Sequence, residues 1–227
     1  MKISELKIEQ EIQLKEKDAL IVVDMQYDFI PGGALAVEGG DEIIGGINKV
    51  AKLFHDTVKS PVILTQDWHP PDHMSFASSH PDKHPGEEYT SEDGAIGPVL
   101  WPDHCVQGSK GAQFHDKLQI DFAKAIIRKG TNPKVDSYSA FLENDKKQET
   151  GLAGYLKSLG IERIFLCGLA LDYCVCYSAL DGVDFGFEVS VIIDLTKGID
   201  DPEGNISRCL EDLKAKGISF TKQNSFE

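Results

Sequence analysis

Residues 19–23 read ALIVV, five apolar residues without alternation, followed at once by Asp24. A strand with one wet face alternates apolar and polar side chains, so an unbroken run of this length suits a strand buried on both faces. Four further runs share the pattern: PVILT (61–65), AIIR (125–128), RIFLC (163–167) and EVSVII (188–193). Around and between them lie stretches with helical spacing of apolar residues, DEIIGGINKVAKLFHDTVK (41–59), TGLAGYLKSLG (150–160), DYCVCYSALDGVDFG (172–186) and GNISRCLEDLKAKG (204–217). Strand and helix signals in alternation predict a three-layer α/β/α fold around a mostly parallel sheet.

With 227 residues, 41% of them apolar, the chain can bury a full core and most simply forms one domain over residues 18–227. Residues 1–17 read as an N-terminal extension, a charged helix packed outside the sheet or a mobile segment. The 37 acidic side chains outweigh 23 basic ones, a formal charge of −14 that repels nucleic-acid backbones and anionic membrane surfaces. No run approaches the roughly 20 apolar residues of a membrane helix, and the charged start MKISELKIEQEIQLKEKD lacks the apolar centre of a signal peptide. Five cysteines, three of them crowded between Cys167 and Cys176, do not form the pattern of a secreted disulfide framework. A cytoplasmic protein without nucleic-acid or membrane partners is expected, with a homo-oligomer left open.

Ligands of open parallel sheets bind beyond the carboxyl ends of the strands. The first run delivers Asp24, the second Asp67 and His69, the third Lys129, and the fourth leads through Gly168, Leu169 and Ala170 to Cys174. Cys174 is placed in the first turn of a helix, where the backbone N–H groups favour a thiolate. Alone, each of these residues has an ordinary structural explanation; their convergence on one rim is what suggests a nucleophile, a carboxylate base and an ammonium. Asp67 and His69 are two apart on a strand and share a face, and an oxygen with an imidazole suits zinc, iron or manganese. A third ligand could come from His104 or His115, or from His73, His80 or His84. The stretch 66–111 is too long for an ordinary connection, as functional loops often are.

The segments VVDMQYDF (22–29), QDWHPPDHMSFA (66–77), WPDHCVQGSKGAQFH (101–115), RKGTNPKVDSYSAF (128–141) and GLALDYCV (168–175) together resemble the successive signatures of nicotinamidases, within the isochorismatase-like cysteine hydrolases. The resemblance implies hydrolysis of nicotinamide to nicotinate and ammonia through a thioester, a step of NAD salvage, with pyrazinamide as a further substrate. It implies a catalytic triad of Asp24, Lys129 and Cys174, an oxyanion hole at Ala170 and Cys174, and a non-prolyl cis peptide before Ala170. Phe29, Trp101 and Tyr138 fall on positions that line the ring pocket. The implied cofactor is one divalent metal ion, zinc first with iron or manganese as alternatives, held by Asp67, His69 and His104; His73 stays outside the expected ligand set. Rival readings are a carbamoyl or ureido amide hydrolase of the same superfamily, a non-catalytic binding relative, and a thiol sensor built on Cys174 and Cys176.

Overall fold

A computed structural model describes residues 1–57 and 59–226. In it the first run becomes a strand, β2 (Asp18–Val23), after a two-residue strand β1 (Ile8–Glu9). Ala19, Ile21 and Val23 of β2 enter one apolar layer and Leu20 and Val22 the other, all at most 1% exposed, which is why the run carries no polar alternation.

The remaining order is α1 (Ile44–Thr57), β3 (Val62–Asp67), β4 (Ala123–Lys129), α2 (Leu152–Ser158), β5 (Arg163–Leu169), α3 (Cys176–Asp184), β6 (Glu188–Lys197), α4 (Asn205–Ala215) and β7 (Ser219–Thr221). The seven strands form one sheet in the order β1-β7-β6-β5-β2-β3-β4, and every pairing is parallel. Helix α1 covers one face through Ile44, Ile47, Val50 and Phe54, while α2, α3 and α4 cover the other through Leu156, Ala179, Leu210 and Leu213. Each of the larger side chains among these, fully buried, contributes roughly 1.5–3 kcal/mol. The predicted three-layer α/β/α architecture is therefore present. Among the described residues, no helix is long and apolar enough to cross a membrane.

The chain runs from β2 to β3 and β4 on one side, then crosses to β5 on the other. This reversal at β2 makes a switch point at the carboxyl ends of β2, β3, β4 and β5, where the candidate residues gather.

Two features depart from the sequence-based expectation. Residues 1–17 form no α-helix, only a single 3-10 turn at Ile3–Glu5: Ile8–Glu9 pairs with β7 at the sheet edge, and the Met1 ammonium lies 2.7 Å from Glu211 on α4. β4 is not buried on both faces, because it closes the opposite edge; Lys124, Ile126 and Arg128 are exposed between half-buried neighbours. The long stretch 66–111 is ordered around a small core of its own formed by Ala77, Ile96 and Leu100.

Candidate active site

Asp67 ends β3 opposite Lys129, which ends β4. That register brings the Lys129 ammonium, fully buried, to 2.9 Å from Asp67 Oδ1, 3.0 Å from Asp24 Oδ2, 2.9 Å from the Ser137 carbonyl and 3.4 Å from Cys174 Sγ. An ammonium has three protons, so four acceptors compete for them, and the sulfur is the most distant. Asp24 follows β2 in a left-handed conformation, φ +46°, and is fixed by Thr65: its N–H donates to Oγ1, and the Thr65 hydroxyl donates to Oδ1 at 2.6 Å. Thr65 precedes Asp67 by two residues on β3, so the strand's own alternation was a signal for it.

Cys174 lies in a π-helical turn, Leu171–Val175, and α3 begins only at Cys176; the first α-helical turn expected for it is displaced by this wider turn. The Leu169–Ala170 peptide before it is cis. Gly168, at φ +109°, has no room for a side chain: a Cβ there would stand 2.1 Å from the Val23 carbonyl oxygen. This close approach lets β5 lie against β2 where the two strands deliver Asp24 and the Cys174 turn.

Burial sets the electrostatics. It opposes charge on Lys129, but Asp24 and Asp67 more than restore it and hold the ammonium well above its usual range. Burial pushes the Asp24 carboxyl up, with Lys129 offsetting only part. The Cys174 thiol is likewise pushed well up by burial; Lys129 works the other way, while Asp24 and Asp67 add to the rise. Burial beside Asp24 and Asp67 therefore works against the thiolate that a helix N-terminus would favour.

Three ligand atoms converge on the other side of Asp67. Its Oδ2 lies 3.2 Å from His69 Nε2 and 3.6 Å from His104 Nε2, and these donors all lie within 4.8 Å of one another. His69 Nδ1 donates to the Gly130 carbonyl at 2.9 Å and His104 Nδ1 to the Pro102 carbonyl at 2.8 Å. Both rings thereby turn Nε2 inward toward Asp67, with the outer nitrogen tied to a carbonyl as in metal-binding histidines. The buried His69 Nε2 has no hydrogen-bond partner. Two imidazole nitrogens and a carboxylate suit a divalent ion such as zinc. Gly130 is required here: its φ is +65°, and a Cβ would stand 2.3 Å from His69 Cε1.

The other histidines stay out. His73 is buried with its ring centroid 4.2 Å from that of His69, but both nitrogens are engaged, Nδ1 with Ser75 Oγ at 2.7 Å and Nε2 with the Val135 carbonyl at 3.2 Å. Burial keeps the ring neutral, with its pKa pushed down to about 3. His80 bonds the Met74 carbonyl, His84 is exposed, and His115 packs on Tyr27.

A cleft with about 360 Å³ of empty space, its open mouth included, joins the two clusters. Phe29, Trp101 and Tyr138 line it as expected, together with Ala170 and Cys174 from the nucleophile turn and Asp67 and His104 from the donor set. Trp101 Nε1 donates to the Tyr138 hydroxyl at 3.2 Å, which donates to the Gly97 carbonyl at 3.1 Å. Asp136, Ser137, Tyr173, Leu35 and Ile199 complete the lining and were not among the expected residues. Ile199 follows β6, so the rule of strand ends that pointed to the other four strands could have found it.

The chain matches the isochorismatase domain over residues 18–220. It is 45% identical to the nicotinamidase of Acinetobacter baylyi over 210 residues, 92% of this chain and 94% of the relative. Among solved structures, the nicotinamidase/pyrazinamidase of Acinetobacter baumanii superposes with a TM-score of 0.87 at 45% identity, covering 92% of this chain and 97% of that one. The pyrazinamidase of Pyrococcus horikoshii in complex with zinc superposes with a TM-score of 0.73 at 38% identity, covering 91% and 99%.

Proposed function

This chain belongs to the isochorismatase family, and from that premise we propose that it is a nicotinamidase, hydrolysing nicotinamide to nicotinate and ammonia. Pyrazinamide, which keeps a ring nitrogen and the carboxamide, is a second substrate. The observation that carries the reading is the double engagement of Asp67: one oxygen holds Lys129 beside Cys174, and the other completes a metal donor set with His69 and His104. An amide carbon and a ring nitrogen of one small molecule can then be addressed at once.

The ion held by Asp67, His69 and His104 would supply an electrophilic anchor for the pyridine nitrogen, orienting the amide over the sulfur. Asp24, a stronger base than an exposed carboxylate because it is buried, takes the Cys174 proton while Lys129 stabilises the new thiolate. The sulfur bonds to the carboxamide carbon, and the carbonyl π electrons move onto oxygen. The N–H groups of Ala170 and Cys174 receive that oxyanion, an interaction typically worth ~3 kcal/mol per donor. The Ala170 carbonyl points away, into hydrogen bonds from the Tyr173 and Val175 N–H groups. As the C–N bond breaks, Asp24 returns the proton to the leaving nitrogen and ammonia departs. Asp24 next accepts a proton from water, whose oxygen attacks the thioester; nicotinate leaves and the thiol reforms.

The test is ammonia release from nicotinamide by purified protein, before and after chelation and with metal restored. Release that chelation abolishes and zinc, iron or manganese restores is expected. No release from reduced, metal-loaded protein overturns the reading and favours a carbamoyl-amide hydrolase or a non-catalytic relative.

A further inference from the structure

Ten of the twelve residues lining the cleft are buried; the two half-buried ones, Leu35 and Ile199, are both apolar and form its mouth. The Ile199 side of that mouth is tied to the nucleophile turn. Asp172, 2% exposed and lying between Ala170 and Cys174, accepts N–H bonds from Ile199 and Asp200, both at 2.9 Å, and from Asn205 Nδ2 at 3.1 Å. Asn205 Nδ2 also donates to the Asp172 carbonyl, and the neighbouring Tyr173 hydroxyl donates to the Asp201 carbonyl. The loop passes so close that a Cβ on Gly198 would stand 2.9 Å from Asp172 Oδ1 and 2.7 Å from Ile206 Cδ1.

A buried carboxylate accepting several N–H bonds makes strong, directional contacts. They fix Ile199 relative to the sulfur two residues beyond Asp172. Resting on the nicotinamidase reading, we propose that Ile199, positioned by Asp172, determines which ring-substituted heteroaryl carboxamides this site admits. Asp172 is a positioning residue: it sets the wall against which a ring substituent aimed at the mouth must pack. One methyl group in an apolar pocket changes discrimination by about ten- to 200-fold, so a wall held this firmly can exclude a methylated ring that a looser one accepts.

The test compares kcat/KM for nicotinamide with that for each ring-monomethylated nicotinamide in the zinc-loaded wild type, Ile199→Ala, Asp172→Asn, Asn205→Ala and the Ile199→Ala/Asp172→Asn double variant. The wild type is expected to reject at least one methyl isomer. Ile199→Ala should reduce that rejection by about tenfold. Asp172→Asn and Asn205→Ala should reduce it in the same direction, and Asp172→Asn should add nothing once Ile199 is truncated. A merely structural Asp172 would depress all substrates alike and leave the ratio unchanged. Asn205→Ala removes two of the bonds outside the nucleophile turn and decides the matter if Asp172→Asn does not fold. Ratios that move less than twofold in Ile199→Ala for every isomer overturn the inference; a wild type that releases no ammonia from nicotinamide overturns the nicotinamidase reading itself.

Discussion

Lys129 Nζ stands 2.9 Å from Asp67 Oδ1, and the two residues face each other in register across β4 and β3. The metal donor set and the nucleophile cluster are thus one buried network, sharing a carboxylate held well below its usual pKa range: burial opposes its charge, but His69 and Lys129 prevail.

Asp67→Asn should therefore damage both halves. Zinc affinity is expected to fall by more than about tenfold, and unfolding free energy by about 3 kcal/mol as Lys129 loses a buried partner. His104→Ala removes a ligand but keeps the Lys129 contact, so saturating zinc should restore ammonia release further in His104→Ala than in Asp67→Asn. Metal content after gel filtration, zinc-titrated activity and urea unfolding check this; equal rescue would show that the Lys129–Asp67 pair does not matter to the reaction.

Cys174→Ala should lower ammonia release by about a thousandfold or more while zinc binding persists, because the sulfur is not among the ligands. Cys176→Ser should stay within about twofold. Its thiol meets Cys209 on α4 and lines a separate cavity, away from Cys174. An active Cys174→Ala protein would sink the proposed mechanism, and a dead Cys176→Ser would revive a thiol-sensor role.

The acid limb of kcat/KM should lie above the ordinary carboxylate range. Asp24 must be ionised to accept the thiol proton, and burial raises its pKa from 3.8, so activity grows as pH climbs through that raised value. The profile is measured with zinc in excess and metal content followed at each pH. A limb at or below 3.8 with zinc retained would contradict Asp24 as the base.

His73→Ala should cost about 2 kcal/mol of stability, from a lost buried ring and stranded partners at Ser75 and Val135. Its effect on zinc affinity should be smaller than that of His104→Ala, since neither nitrogen of His73 is available to an ion. Competition titration with a zinc chelator checks the ranking; equal losses would make His73 a ligand.

The apolar run at 19–23 was enough to indicate a doubly covered strand, because burial on both faces leaves a mark on every residue. The same logic read β3, β5 and β6 and placed Asp24, Asp67 and Cys174 at strand ends. β1 and β7, two and three residues long, were illegible: their strand character comes from pairing with each other and with β6. The end of the third run supplied Lys129, and the segment motifs allowed His104 to be named.

What only the tertiary structure decided was which of these groups touch. The segment motifs named His104 and left out His73, but the physical reason lies in ring nitrogens already committed to Gly130, Pro102, Ser75 and Val135. The protonation of Cys174 was likewise beyond the sequence, because position on a turn favours the thiolate while burial among Asp24 and Asp67 opposes it, and burial is a property of the assembled core. Local pattern carries the elements, since each strand or helix is written in its own residues. Contacts between strand ends depend on register, sheet order and the path of loops such as 198–205, where Asp172 meets Ile199, and these exist only once the chain has closed on itself.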